Sequence, residues 1–235
     1  MRVHCLGTTG YHPSSTRHTA CYYLPDVSLV LDAGTGMFAL TSLLRAEPRE
    51  SLDIFLSHAH LDHVVGLTFL LDTFAVSSLK RVRVLGSAVK LSAVKEHLFS
   101  AHLFPLLPEQ IEFQALDDLD CPYQLASGAT IEWFPLEHPG GSNGLRLDVD
   151  GRSLAYVTDT VARPNADYVR RVKGVDLLLH ECYFTDDHQE LAEKTGPSWL
   201  SAVTNLVRTV GAGQTALIHL NPLAEVMNTA MVLTA

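Results

Sequence analysis

The sequence predicts an α/β fold of two mixed β-sheets packed face to face, with helices on the outer faces. Three observations predict it. Short apolar runs of strand character alternate with stretches of helical periodicity. Each half of the chain carries its own strands and its own helices. Tight-turn signals, Asp150-Gly151 above all, join runs as antiparallel pairs are joined. The chain has 235 residues, 47% of them hydrophobic, enough for a sizeable core, and residues 1–235 are read as a single domain.

Taken in order, Arg2 to Leu6 reads as a strand ended by Gly7-Thr8-Thr9-Gly10. Cys21 to Leu24 and Ser28 to Leu31 form a hairpin pair around Pro25-Asp26. Asp53 to Ser57 is a buried strand and Arg81 to Leu85 another. Thr130 to Pro135, Leu145 to Val149 and Ser153 to Thr158 read as an antiparallel meander. Val175 to His180 and Thr215 to His219 complete the strands. Helical periodicity marks Met37 to Ala46, Asp62 to Phe74, Ala88 to Phe99, Asn165 to Val172, Ser198 to Val210 and Leu223 to Val232. Pro105 and Pro108 mark a loop between the halves, without the composition of a linker. The apolar residues Leu98, Phe99, Leu103, Phe104, Leu106 and Leu107 are assigned to core packing, and Pro139 to Gly144 to a turn between strands.

Composition narrows the function. Formal net charge is −9 and no Lys/Arg run exceeds two residues, so a broad nucleic-acid surface is not expected. A small anionic substrate remains compatible, because bound cations reverse the local sign. No apolar run is long enough to span a bilayer. Met1 to Gly7 lacks the features of a signal peptide. Cys5, Cys21, Cys121 and Cys182 are widely spaced and read as buried free thiols, which implies a cytoplasmic location.

The chemistry concentrates in Ser57-His58-Ala59-His60-Leu61-Asp62-His63. Three histidines and an aspartate follow an apolar strand directly and precede a helical run. In extended chain His58 and His60 point the same way, since the side-chain period is two. Asp62 and His63 then begin the helix and can turn toward a second ion. Imidazole and carboxylate together suit zinc, manganese or iron. Three further polar residues close apolar runs elsewhere, namely His138, Asp159 and His219, and supply what two ions require.

The chain thereby resembles the metallo-β-lactamase superfamily, whose HxHxDH motif is His58-x-His60-x-Asp62-His63 here. Carried over, the resemblance puts His58, His60 and His138 on one divalent ion and Asp62, His63 and His219 on a second, with Asp159 bridging. Zinc is favoured, with manganese or iron as alternatives. It implies the family's αββα sandwich and a homodimer. Leu6-Gly7-Thr8-Thr9-Gly10-Tyr11-His12-Pro13, with Arg17 and Thr19-Ala20, resembles the amino-terminal pattern of the ribonuclease Z-like phosphodiesterase branch. Leu31 to Gly36 is similar to the family's second strand and turn, which makes Asp32 the acceptor that orients a ligand histidine. Leu178 to Cys182 resembles the branch's HEAT-type segment.

The resemblance implies a hydrolase in which two ions share a water, lower its pKa and let the resulting bridging hydroxide attack phosphorus or a carbonyl carbon, with Asp62 orienting it. Two departures bear on the substrate. Pro197 stands where the branch carries a proton-donating histidine, and suits instead the first turn of the following helix. His180 and Glu181 are left as candidate donors, while His188 reads as a surface residue. The tRNA-processing enzymes of the branch insert a long arm between the positions matching His138 and Asp159, where this chain has only a short hairpin. The sequence therefore points to a phosphodiesterase acting on a small phosphodiester, cyclic ones included, like the compact cyclic-phosphodiesterase relatives. Their extra cysteine-rich zinc site is not expected, since only Cys5 and Cys21 lie near the amino terminus. The alternatives are hydrolysis of a lactone, carboxylic ester or thioester at the same site, and a non-catalytic metal-binding protein. A redox role is disfavoured because diiron relatives carry a carboxylate where His60 stands.

Overall fold

A computed structural model describes residues 1–224, which form two compact units divided after Asp120. Each unit holds one mixed six-stranded sheet with its helices, as expected.

In the first unit the sheet runs in chain order: β1 (His4–Gly7), β2 (Cys21–Leu24), β3 (Leu29–Leu31), β4 (Ser51–Phe55), β5 (Arg81–Gly86) and β6 (Ile111–Ala115). The first two pairings are antiparallel and the remaining three parallel. Parallel neighbours need a crossover, and the helices supply it: α1 (Leu40–Ala46) before β4, α2 (Leu61–Val64) and α3 (Leu70–Val76) before β5, and α4 (Ala88–Ala93) before β6. Alternate strand residues (Val30, Ile54, Val82, Val84) pack with Leu40, Leu44, Leu67, Leu70 and Leu91 from the crossovers.

The helix expected over Asp62 to Phe74 is interrupted by a tighter 3₁₀ stretch at Val65–Phe69. Gly66 explains the break. Its N–H donates to Ala33 O (2.7 Å) instead of a helical carbonyl, and its bare Cα lies against the Gly34 carbonyl and the Met37 side chain. Strand β6 was not expected, because only Ile111 of Ile111–Ala115 is buried and the run shows no alternation. The Pro105 to Pro108 loop consequently lies inside the first unit and does not separate the halves. Leu98, Phe99 and Phe104 join the core as expected, whereas Leu103, Leu106 and Leu107 are exposed.

In the second unit β7 (Tyr123–Gln124), β8 (Thr130–Leu136), β9 (Ser142–Val149) and β10 (Arg152–Val157) form the meander. β11 (Leu177–Glu181) and β12 (Gln214–Ile218) add in parallel. Asp150 and Gly151 both have positive φ, 49° and 69°, which the mirror-image two-residue turn between β9 and β10 requires. Pro139 to Gly141 is a turn leading into β9. Helix α5 (Gln189–Thr195) buries only Ala192, so it left no periodicity to read. Helix α6 (Leu200–Val210) buries Ala202, Val203, Leu206 and Val210 against Val157, Val172, Val175 and Leu178. Pro197 therefore precedes the helix by three positions and does not sit in its first turn. Asn165 to Val172 holds only a 3₁₀ turn, Asp167–Arg170. The helix expected from Leu223 to Val232 lies almost wholly outside the described residues. Cys21 and Cys182 are buried, but Cys5, on edge strand β1, and Cys121, before edge strand β7, are exposed. Among the described residues no helix is long and apolar enough to cross a membrane.

Candidate metal centre

The histidine-rich loop begins where β4 ends. His58 and His63 are buried and their rings lie 4.3 Å apart, while His60 is exposed with its ring 4.4 Å from that of His58. Beneath them sits Asp32, fully buried directly after β3. Its Oδ1 accepts from the Ser57 N–H (2.7 Å), and its Oδ2 accepts from the Ser57 hydroxyl (2.7 Å) and from His63 Nδ1 (2.7 Å). Since a carboxylate only accepts, His63 carries its proton on Nδ1 and presents a bare Nε2. Ser57 Oγ, having donated to Asp32, accepts from His58 Nδ1 (3.0 Å), which leaves His58 Nε2 bare as well. One buried carboxylate thus sets the tautomer of two histidines, His63 directly and His58 through Ser57. Asp32, expected to orient a ligand histidine, does accept from His63 Nδ1. Ser57 was missed, and its place between strand and first histidine was the only signal of it.

Asp62 opens α2. Its Oδ2 accepts from the Tyr11 N–H (2.7 Å) and lies 3.3 Å from His63 Nε2. The backbone behind it is closely fitted: a β-carbon on Gly34 would overlap the Asp62 carbonyl oxygen.

The second unit gathers its candidates at the carboxyl ends of parallel strands, where open α/β sheets commonly place ligands. Asp159 follows β10, Glu181 ends β11 and His219 follows β12, while His138 follows β8. Asp159 Oδ1 lies 3.8 Å from His138 Nε2 and 3.4 Å from His219 Nε2. Two ligand atoms of a tetrahedral zinc, each about 2.1 Å from the ion, stand about 3.4 Å apart. The spacing is that of donors around a cation. Asp159 Oδ2 accepts from the Thr158 hydroxyl (2.8 Å), which fixes the carboxylate plane.

Glu181 is fully buried. Its Oε1 accepts from the N–H groups of Thr160 (2.7 Å) and Ser198 (3.2 Å), and its Oε2 lies 3.3 Å from His219 Nδ1. Burial pushes its pKa up, opposed by the hydrogen bond to His219. Glu181 Oε2 thus stands at ion-pair distance from His219 Nδ1, a looser approach than the 2.7 Å hydrogen bond between Asp32 and His63. His180, one residue away, faces the opposite side of β11. It is fully buried, donates from Nδ1 to the Glu181 carbonyl (2.8 Å) and accepts at Nε2 from Tyr168 (3.0 Å). Burial lowers its pKa to about 4. The expected candidate donor thus faces Tyr168, with both ring nitrogens engaged. His188 is exposed against Thr185, as a surface residue should be.

Asp32, Asp159 and His219 share a further trait: all three are in the left-handed region, with φ of 55°, 51° and 51°. Such strain collects at functional sites, where surrounding hydrogen bonds over-determine the backbone.

A family model described as "Beta-lactamase superfamily domain" matches residues 27–220. The chain belongs to the beta-lactamase superfamily. Within the superfamily its relatives are of the ribonuclease Z-like branch. It is 27% identical to Ribonuclease Z 2, mitochondrial, of Schizosaccharomyces pombe over 91% of its own length, and spans 33% of that protein. It is 23% identical to Ribonuclease Z of Haloarcula marismortui, covering 94% of this chain and 86% of that one. Among solved structures, the human short-form tRNase Z superposes with a TM-score of 0.75 at 22% identity, over 94% of this chain and 93% of that one. The metallo-beta-lactamase fold protein YhfI of Bacillus subtilis gives the same TM-score, 0.75, at 20% identity over 93% and 85% of the two chains. These likenesses establish the metallo-β-lactamase fold, and the histidine and aspartate donors suit the divalent metal ions of such a centre.

Proposed function

We propose that this metal-dependent hydrolase cleaves a small phosphodiester, with two divalent cations held by seven side chains. His58, His60 and His138 would take one ion and Asp62, His63 and His219 the other, and Asp159, whose Oδ1 stands 3.8 Å from His138 Nε2 and 3.4 Å from His219 Nε2, would serve both. The donor set is nitrogen and oxygen only, which suits zinc first and manganese or iron next. The family match runs across both units, which supports treating residues 1–235 as one hydrolase domain. The observation that carries the reading is the Asp159 oxygen standing at ligand spacing from two histidine nitrogens whose own unit supplies an orienting carboxylate, Glu181.

When bound, the cations would make a water nucleophilic at neutral pH and neutralise charge on the substrate's oxygens. The protein's own groups then have three tasks. Asp32 and Glu181 keep the ligand nitrogens deprotonated and aimed. Asp62, clamped by the Tyr11 N–H, accepts a proton from the attacking water and orients it. The cleft of about 280 Å³ beside His138, lined by Arg163 and Lys194 as well as Glu137 and Glu193, offers cationic and acceptor groups to a substrate of small size.

Among the described residues, neither expected candidate takes the place of the missing donor. Pro197 has no proton to give, His180 is buried and neutral, and Glu181 is engaged with His219. The leaving group must then depart with little protonation, as from an activated aryl diester or a strained cyclic one. Lactones and thioesters meet the same condition and form the second reading. A ribonuclease reading is favoured by the names of the relatives. Against it stand the net charge of −9 and the two-residue turn that joins β9 to β10.

Elemental analysis and turnover of bis-p-nitrophenyl phosphate, a lactone panel and a precursor tRNA separate these readings. The expected result is about two metal ions per chain, preferred turnover of the phosphodiester, and loss of more than about a hundredfold in kcat/KM on changing His60→Ala or Asp159→Ala. Activity on every ester surviving those changes would overturn the proposal.

A further inference from the structure

Tyr11 is the residue at this centre that the reaction leaves unexplained. It sits at the tip of the loop joining β1 to β2. Its φ is +66°, and the His12 N–H donates to Gly10 O across it (2.8 Å). This is the rare, strained form of the three-residue γ-turn, centred on a bulky side chain although glycine is its neighbour. Burial does not offset the strain, since Tyr11 is 76% exposed.

The turn is held from both sides. The N–H groups of Thr8 and Thr9 donate to His18 O (2.8 and 3.0 Å), and Ser14 N–H donates to Arg17 O (2.9 Å). The Tyr11 N–H itself is spent on Asp62 Oδ2 (2.7 Å). The phenol is thereby tethered one side chain's length from a carboxylate of the proposed centre. The His12 ring meets it edge-on, at 5.3 Å and 62°, and His12 Nδ1 is fixed on Pro13 O (2.8 Å). One edge of the phenol is buttressed while the ring stays open to solvent. A rigid, exposed aromatic face at a phosphoester site is what a planar base stacks on.

We propose that Tyr11 is a specificity-determining residue that stacks on the nucleobase of a nucleoside phosphodiester, so that the substrate is a nucleotide and not a base-free sugar phosphate. The inference rests on the phosphodiesterase reading above and narrows it.

Calorimetric titration of the zinc-loaded protein with adenosine monophosphate and with ribose phosphate tests it, alongside zinc content and turnover of bis-p-nitrophenyl phosphate. Wild type is expected to bind adenosine monophosphate about tenfold more tightly than ribose phosphate. Tyr11→Ala should weaken adenosine monophosphate about tenfold and ribose phosphate less than about twofold, and Tyr11→Phe should keep both within about twofold. Tyr11→Gly relieves the turn, keeps the N–H on Asp62, and should match Tyr11→Ala. Equal affinity of wild type for the two probes, or equal weakening of both in Tyr11→Ala, overturns the proposal. Absence of zinc or of diester turnover in wild type instead sinks the parent reading, so the two failures are distinguishable.

Discussion

Asp32→Asn isolates the orienting role of Asp32 from its role in stability. The two residues are nearly the same size, so packing is retained. In the variant the amide oxygen can still accept from the Ser57 N–H, but the amide nitrogen replaces the oxygen that serves Ser57 Oγ and His63 Nδ1. It now donates toward His63 Nδ1, which moves the imidazole proton to Nε2, the nitrogen that has to be bare to bind a metal. Loss of one charge-assisted hydrogen bond and strain in a second give a stability cost of about 2 kcal/mol in the metal-free protein. Loss of an orienting partner lowers metal affinity about 10- to 100-fold, about 1.4–2.8 kcal/mol. Asp32→Ala, by contrast, leaves two buried donors on Ser57 and one on His63 without an acceptor, and should cost about 3–5 kcal/mol. Urea unfolding without metal gives the first quantity and competition with a chromophoric chelator the second. If Asp32→Asn bound zinc as tightly as wild type, the tautomer argument would be refuted whatever the stability change.

Two further outcomes are expected. His180 is buried with a folded pKa of about 4 against an ordinary 6.5, so between those values only the unfolded chain takes up the proton and stability falls as pH falls. His180→Gln should flatten the urea-derived stability of metal-free protein between pH 7 and 5 by about 2 kcal/mol, and parallel curves for the two proteins would contradict the assignment. Gly34→Ala forces a β-carbon onto the Asp62 carbonyl and the Thr19 hydroxyl. It should cost about 1–3 kcal/mol by thermal unfolding and lower metal occupancy, since the loop bearing Asp62 has to move; unchanged occupancy would show that the loop tolerates displacement.

The paired orienting carboxylates also explain the layout of the centre. Asp32 follows a strand in the first unit, and Glu181 ends one in the second. Asp32 accepts from His63 Nδ1, and Glu181 stands at ion-pair distance from His219 Nδ1. The His58 loop adds one positioning group of its own, Ser57, which passes the effect of Asp32 to His58.

The sequence by itself determined the strands, the main crossovers and the identity of the candidate donors. Those features are local: side-chain alternation, helical spacing and a dense cluster of ligand-type residues are one-dimensional patterns. Where burial was one-sided or slight, as in Ile111–Ala115 and Gln189–Thr195, the pattern was empty and β6 and α5 went unread. The tertiary structure alone decided the partners. That Asp32 serves Ser57 twenty-five residues on, and that Glu181 lies beside His219 while His180 turns to Tyr168, follows from strand register and from the face on which each side chain emerges. Adjacent residues on a strand point to opposite faces, so His180 and Glu181 acquired opposite environments despite being neighbours in the chain.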